Sequence, residues 1–299
     1  MNIIEIRNLT KIKKDKKILD NISFDVKSGE ILAILGHNGA GKTTLINSIM
    51  RLTRYDGTIN FSFQIGNLYK KIAYQMQSTS FENEAKVFEI CKLYKQLLKT
   101  NVDIEDLLKQ FNMQDSKNLF IKDLSGGQRQ ILAILLTLIG EPEVVIFDEL
   151  TTGLDSLNRR RIWEILKNLN QERKITIILT SHFLEEVEYL ANRVIILKHG
   201  EIEKIGYVND IINEQFSDMK KIQFETKNLD QAKILFGDHI KISGQVVSFV
   251  YKEDEEIEIF RKVQEIKGEN IVMKRFSFED AFLQMLGYQI AEEGEIVHE

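Results

Sequence analysis

Gly36-His37-Asn38-Gly39-Ala40-Gly41-Lys42-Thr43 sets three glycines, a lysine and a hydroxyl residue at the spacing of a phosphate-binding loop. Glycines let the backbone bend its N–H groups around phosphate oxygens, and a helix starting at the loop's end adds favourable dipole charge. Lys42 is placed to reach the β- and γ-phosphates of a nucleoside triphosphate, and the Thr43 hydroxyl to ligate Mg²⁺. A second string, Val144-Val145-Ile146-Phe147-Asp148-Glu149, is an apolar strand ending in two carboxylates. Strand ends along one edge of a parallel sheet are where ligands gather. Asp148 would hold the metal ion, and Glu149, pointing elsewhere, would accept a proton from an attacking water. A third string, Leu124-Ser125-Gly126-Gly127-Gln128, offers Ser125 as an N-cap and two glycines that bare backbone N–H groups. One polypeptide does not need two anion-binding helix starts for one triphosphate. The bland alternative is an ordinary capped helix.

The elements that must hold these residues follow from hydrophobic spacing. Residues 31–35 form a continuous apolar run closed by glycine, which suits a buried strand, and residues 43–50 a helix. Val87, Phe88, Cys91, Tyr94, Leu97 and Leu98 recur at helical spacing, and Ile104, Leu107, Leu108 and Phe111 mark a shorter amphipathic helix. Residues 131–139 predict a buried helix, 144–147 a strand, 163–169 a helix, 175–179 a strand, 184–190 a helix and 193–198 a strand. Strands alternating with helices predict an α/β domain with a mostly parallel sheet, interrupted by a helical subdomain at about 81–140. Beyond residue 215 the rhythm becomes βαββαβ, the split pattern of small ferredoxin-like α+β domains. The expected division is therefore 1–215 and 216–299.

Composition narrows the class. A chain of 299 residues with 43% hydrophobic content can bury two cores, and a net charge of -5 gives no global attraction to nucleic acid. Cys91 is the only cysteine, so neither an internal disulfide nor a cysteine-rich metal site can form. It suits a small apolar helix residue in a reducing compartment. The first residues lack the apolar core of a signal peptide, and the apolar runs are far shorter than the ~20 residues of a spanning helix. Any transport role would have to be shared with a membrane partner.

Taken in order, the three strings resemble the ATP-binding subunits of ABC transporters, over about residues 3–206. The resemblance implies a P-loop ATPase domain that binds ATP and Mg²⁺ along Gly36, His37, Asn38, Gly39, Ala40, Gly41, Lys42, Thr43 and Thr44. It implies that Leu124, Ser125, Gly126, Gly127 and Gln128 are the signature, which closes over the γ-phosphate held by a second copy in a head-to-tail homodimer. Gln77 matches the glutamine that senses metal and attacking water. Gln75 is a nearby alternative. Asp155 matches the loop that couples the two sites across the dimer, and His182 the histidine that contacts the γ-phosphate. Lys13 stands where an aromatic residue usually stacks on adenine, and Leu150 where a proline is usual. The lysines at 11, 13, 14, 16 and 17 predict a solvated loop, with attraction to anionic lipid as the alternative.

The tail, Phe276-Ser277-Phe278-Glu279-Asp280-Ala281-Phe282-Leu283 ending at Gly287, resembles the terminus of bacterial drug- and peptide-export ATPases of the daunorubicin-resistance, bacitracin-export and lantibiotic-immunity types. That likeness implies a separately encoded integral-membrane permease, a peripheral position at the cytoplasmic face of the membrane, and no nucleic-acid partner. An importer subunit, and a soluble ABC protein acting on ribosomes or DNA, are the competing expectations. The latter types usually carry two ATPase domains or a long coiled coil, and this chain has neither.

Overall fold

A computed structural model describes residues 1–75, 84–237 and 239–286, with the backbone of 289–290 and 296–297. The chain divides into two compact units, Met1–Gly206 and Tyr207–Glu299. Residues 207–215, which the sequence reading places in the first unit, fall in the second.

The first unit opens with two long strands, β1 (Asn2–Lys13) and β2 (Lys16–Lys27), joined by a two-residue turn. Lys14 and Asp15 there have φ of 48° and 61°. That is the left-handed pair that matches the right-handed twist of a hairpin, although glycine or asparagine is the usual choice. The lysine cluster therefore lies on a β-hairpin and not in a loop. Lys11 and Lys13 end β1, Lys16 and Lys17 begin β2, and Lys17 pairs with Asp20 at 2.7 Å. Asn8 and Asn21, both at φ 51°, sit beside register shifts that bend the two strands. With β4 (Asp56–Phe61) they form an antiparallel sheet in the order β2-β1-β4.

The larger sheet is built from β3 (Ile31–Leu35), β5 (Ile72–Gln75), β6 (Val144–Asp148), β7 (Thr176–Ser181), β8 (Arg193–Lys198) and β9 (Glu201–Tyr207), in the order β5-β6-β7-β3-β8-β9. The strands β5, β6, β7, β3 and β8 run parallel. Every residue of β3, β6 and β7 is buried, as parallel strands covered on both faces must be. Helix α6 (Ser156–Arg173) connects β6 to β7 and α7 (Leu184–Leu190) connects β7 to β8, while α1 (Lys42–Ile49) leads from β3 to β4 of the other sheet. Helix α2 (Leu68–Lys71) leads into β5. The expected helical interval contains α3 (Val87–Leu98), α4 (Ile104–Gln110) and α5 (Gly126–Leu138). One apolar core joins both sheets to α1 through residues such as Ile4, Ile6, Leu32, Ile34, Leu45, Ile46 and Ile178.

Two glycines bring the sheets together behind the phosphate-binding loop. A Cβ at Gly41 would meet the Ile18 carbonyl at 2.9 Å and Leu19 at 2.8 Å, and one at Gly200 the Ile18 carbonyl at 2.5 Å. Both are also left-handed, at φ 109° and 85°. Gly200 donates to the Ala40 carbonyl at 3.1 Å and accepts from the Asp20 N–H at 2.8 Å.

In the second unit α8 (Val208–Phe216) precedes β10 (Met219–Glu225), α9 (Leu229–Phe236), β11 (Lys241–Ser243), β12 (Val246–Lys252), α10 (Glu256–Glu265), β13 (Glu269–Arg275) and α11 (Phe278–Met285). The antiparallel order β11-β12-β10-β13 and the βαββαβ succession make it ferredoxin-like. Its own core holds Ile222, Phe224, Phe236, Val247, Phe249 and Val263. Phe216 of α8 stacks on Phe276 with ring centroids 3.7 Å apart, which ties α8 to this unit.

Candidate nucleotide site

Parallel register brings the chemical residues to one edge of the large sheet. Strand β3 runs out into Gly36, β6 ends at Asp148, and β7, lying between them, ends at Ser181 just before His182. Ile34, Thr180 and Asp148 stand level across the three strands. The loop after β3 turns through Gly39 at φ 84° and Gly41 at φ 109°, then enters α1 at Lys42. Gly36 cannot be larger, since a Cβ there would meet the Leu197 carbonyl at 2.5 Å. His37 and Gly39 are exposed and Ala40 is buried.

Lys42 is only 5% exposed. Its Nζ donates to the Gly36 carbonyl at 2.6 Å and the His37 carbonyl at 3.4 Å, and lies 3.8 Å from Glu149 Oε1. A cation is thus held under a glycine loop by carbonyl dipoles and one carboxylate, which is a setting made for an anion. Thr43 Oγ1 donates to Asp148 Oδ2 at 3.0 Å. A hydroxyl and a carboxylate oxygen in contact suit Mg²⁺, which takes one or two protein oxygens and fills its shell with phosphate and water. Among the described residues no group of three or more His, Cys, Asp or Glu could hold a metal alone.

Two residues of this site were not assigned a role from sequence. Thr180 Oγ1 donates to Asp148 Oδ1 at 2.6 Å and accepts the Glu149 N–H at 3.0 Å. Tyr74 donates to Asp148 Oδ2 at 3.4 Å, and burial, with the Asp148 charge second, drives its phenol well above the usual tyrosine range. Glu149 itself has a left-handed backbone, φ 51°, so a non-glycine residue keeps a costly conformation where a carboxylate is wanted. The only signal for Thr180 in the sequence was its place at the end of the apolar run of residues 175–179.

Ser125 caps α5. Its hydroxyl accepts from the Gln128 N–H at 3.2 Å, and the Gln128 side chain accepts from the Ser125 N–H at 2.9 Å, closing a capping box. Ser125 and Gly126 are exposed, and Gly127 is buried. Asp155 caps α6, accepting from the Asn158 N–H at 2.9 Å; these bonds hold its carboxyl below the usual range. His182 is exposed with its ring 4.2 Å from Phe183, and Lys13 is exposed near the tip of the hairpin. Gln77 lies outside the described residues. Gln75 is buried at the end of β5, and its Oε1 has no hydrogen-bond partner among the described residues.

The profile of the ABC transporter family matches residues 19–152, from β2 past the Asp148-Glu149 pair. An uncharacterized ABC transporter ATP-binding protein of Methanocaldococcus jannaschii is 33% identical over 94% of this chain and 98% of its own length. The chain belongs to the ABC transporter family. This family member is similar end to end to the Nod factor export ATP-binding protein I of Rhizobium etli, 30% identical over 97% of this chain and 95% of that protein. It is also similar to the methionine import ATP-binding protein MetN of Clostridium tetani, 31% identical over 74% of each. An ATP-binding cassette solved as a dimer in a post-hydrolysis state with ADP and Pi superposes on 69% of the chain, with a TM-score of 0.59 and 26% identity. The ABC transporter subunit described here is an ATP-binding, ATP-hydrolysing one. No helix among its described residues is long and apolar enough to cross a membrane.

Proposed function

We propose that this ATPase powers an exporter of a drug, antimicrobial peptide or similar amphipathic compound, as a homodimer bound to a separately encoded permease at the cytoplasmic face of the membrane. Residues 1–206 act as the motor and the ferredoxin-like remainder as an accessory domain. The observation that carries the reading is the pair of anion-binding helix starts: Lys42 and Thr43 in a loop beside Asp148, and Ser125 and Gly126 exposed at the head of α5. In the proposed cycle, Lys42 and Thr43 hold ATP on one subunit. Ser125 and Gly127 of the facing subunit bind its γ-phosphate, the cap leaving the Ser125 proton to donate outward. Thr43, Asp148 and Gln77 hold Mg²⁺, which supplies neutralising charge on the phosphates. Glu149 takes the proton of the attacking water, while Lys42 and His182 stabilise charge on the transferred phosphoryl group. Asp155 carries the state of one site to the other, and Lys13 contacts the base.

The export direction is supported by the end-to-end similarity to an export protein. The tail motif adds little, since its polar residues are accounted for by helix capping: Ser277 and Asp280 form a capping box on α11. The similarity to import proteins supports the second reading, an importer subunit. Deleting the gene for this chain in its host tests the direction. Raised sensitivity to amphipathic antibiotics or peptides is expected; lost uptake of a nutrient with unchanged sensitivity would reverse it.

A further inference from the structure

The first turn of α6 touches more of the dimer-facing apparatus than its cap requires. Asp155, the N-cap, accepts from the Asn158 side chain, Nδ2 to Oδ2, at 2.6 Å. The other end of that amide lies over Gly127 of the signature. A Cβ added at Gly127 would come within 2.5 Å of Asn158 Oδ1 and 2.6 Å of its Cγ. The next residue, Arg159, stacks its guanidinium on Phe183, 4.6 Å from the ring centroid, and the same ring lies 4.2 Å from that of His182. Arg159 Nε is buried without a hydrogen-bond partner among the described residues, so the ring contact is what that desolvated group gains.

We infer that Asn158 and Arg159 are positioning residues that lock three elements of one subunit together: the Asp155 loop, the signature turn at Gly127, and His182. This rests on the proposed reading that the signature acts on a partner's ATP. The Asn158 amide cannot swing away from Gly127 without releasing Asp155, because one planar group makes both contacts. A shift of the Asp155 loop on dimer closure therefore moves the signature in the same subunit. Through Arg159 and Phe183 it also moves the histidine of that subunit's own site. The two hydrolytic sites are linked in this way by side chains that touch no nucleotide.

The test uses the full chain carrying Glu149→Gln, with ATP and Mg²⁺. Three quantities are measured: monomer affinity for a fluorescent ATP analogue, melting temperature, and the dimer dissociation constant by sedimentation. Asn158→Ala and Arg159→Met should each raise the dimer constant about tenfold, the size of one lost hydrogen bond to a charged group in the first case and of one desolvated cation–π contact in the second. Nucleotide affinity should stay within about twofold and the melting temperature within about 2 °C. Gly127→Ala should also weaken dimerisation, and Asn158→Ala added to it should cost far less than the product of the two single effects. Unchanged dimerisation in both single variants, multiplicative effects, or loss of monomer nucleotide binding would each overturn the inference. If the Glu149→Gln parent itself fails to dimerise with ATP, the trans reading falls and takes the inference with it. Parent dimers that ignore Asn158 and Arg159 sink the inference alone.

Discussion

Thr180 holds Asp148 from the neighbouring strand, its hydroxyl 2.6 Å from Oδ1, while the same oxygen accepts the Glu149 N–H. One buried hydroxyl on β7 thus sets the side chain of the carboxylate proposed to hold the metal and the backbone of the residue proposed as base. Thr180→Val keeps the shape and removes both bonds. The expected result is a kcat lower by about 10- to 100-fold, matching about 1.4–2.8 kcal/mol of lost orientation, with the KM for ATP changed far less. Thr180→Ser should recover most of the rate. Steady-state ATPase assays on the three proteins decide it.

Glu149→Gln keeps the size of the side chain and removes its basicity. Hydrolysis should fall by about 10²- to 10⁴-fold while ATP still binds, leaving an ATP-bridged dimer visible by size exclusion. Normal turnover in this variant would reject the role given to Glu149.

Substitution can separate the cap that Ser125 makes on α5 from the role in trans proposed for it. Aspartate is as good an N-cap as serine, so Ser125→Asp should leave the melting temperature nearly unchanged. Its charge would repel a partner's γ-phosphate, so dimerisation and hydrolysis should be lost while monomer ATP binding persists. A variant that hydrolyses ATP normally would leave Ser125 as a cap alone.

How much of this was legible in the sequence depended on range. The phosphate loop, the Asp148-Glu149 pair and the Ser125 cap each lie within eight residues, and local rules of turns, strands and caps apply to them directly. The βαββαβ order was also legible, because each strand and helix carried its own hydrophobic period. Thr180 and Tyr74 gain their meaning only when β5, β6 and β7 come into register, a pairing no local pattern encodes. The hairpin of β1 and β2 was missed for a different reason. Its turn is Lys14-Asp15 and not a glycine or asparagine pair, and its bulges at Asn8 and Asn21 break the alternation that marks a strand.

Asp280 makes the second unit sensitive to acid. Burial opposes ionisation there, but the Lys221 ion pair at 2.7 Å and the bonds to Ser277 outweigh it and hold the carboxyl below its usual range. A depressed carboxylate contributes stability above the unfolded value, near pH 4, and loses it as pH falls through the folded value. Asp280→Asn should cost about 1 kcal/mol at pH 7 and less at pH 2, as the carboxyl takes up its proton. Denaturant melts of both proteins at the two pH values measure the difference.

Cys91 lies in α3 with no solvent exposure, and burial pushes its thiol up to about 12. It should not react with a thiol reagent at pH 8 in the folded protein, and should react fully once the chain is unfolded. Rapid labelling of the native protein would mean that α3 opens locally.

Gly41 and Gly200 press on the same stretch of β2, where neither leaves room for a side chain. Main-chain atoms therefore set the spacing between the phosphate loop and the lysine-bearing hairpin. Ordinary surface mutation cannot reset it, and a single methyl group at either glycine would.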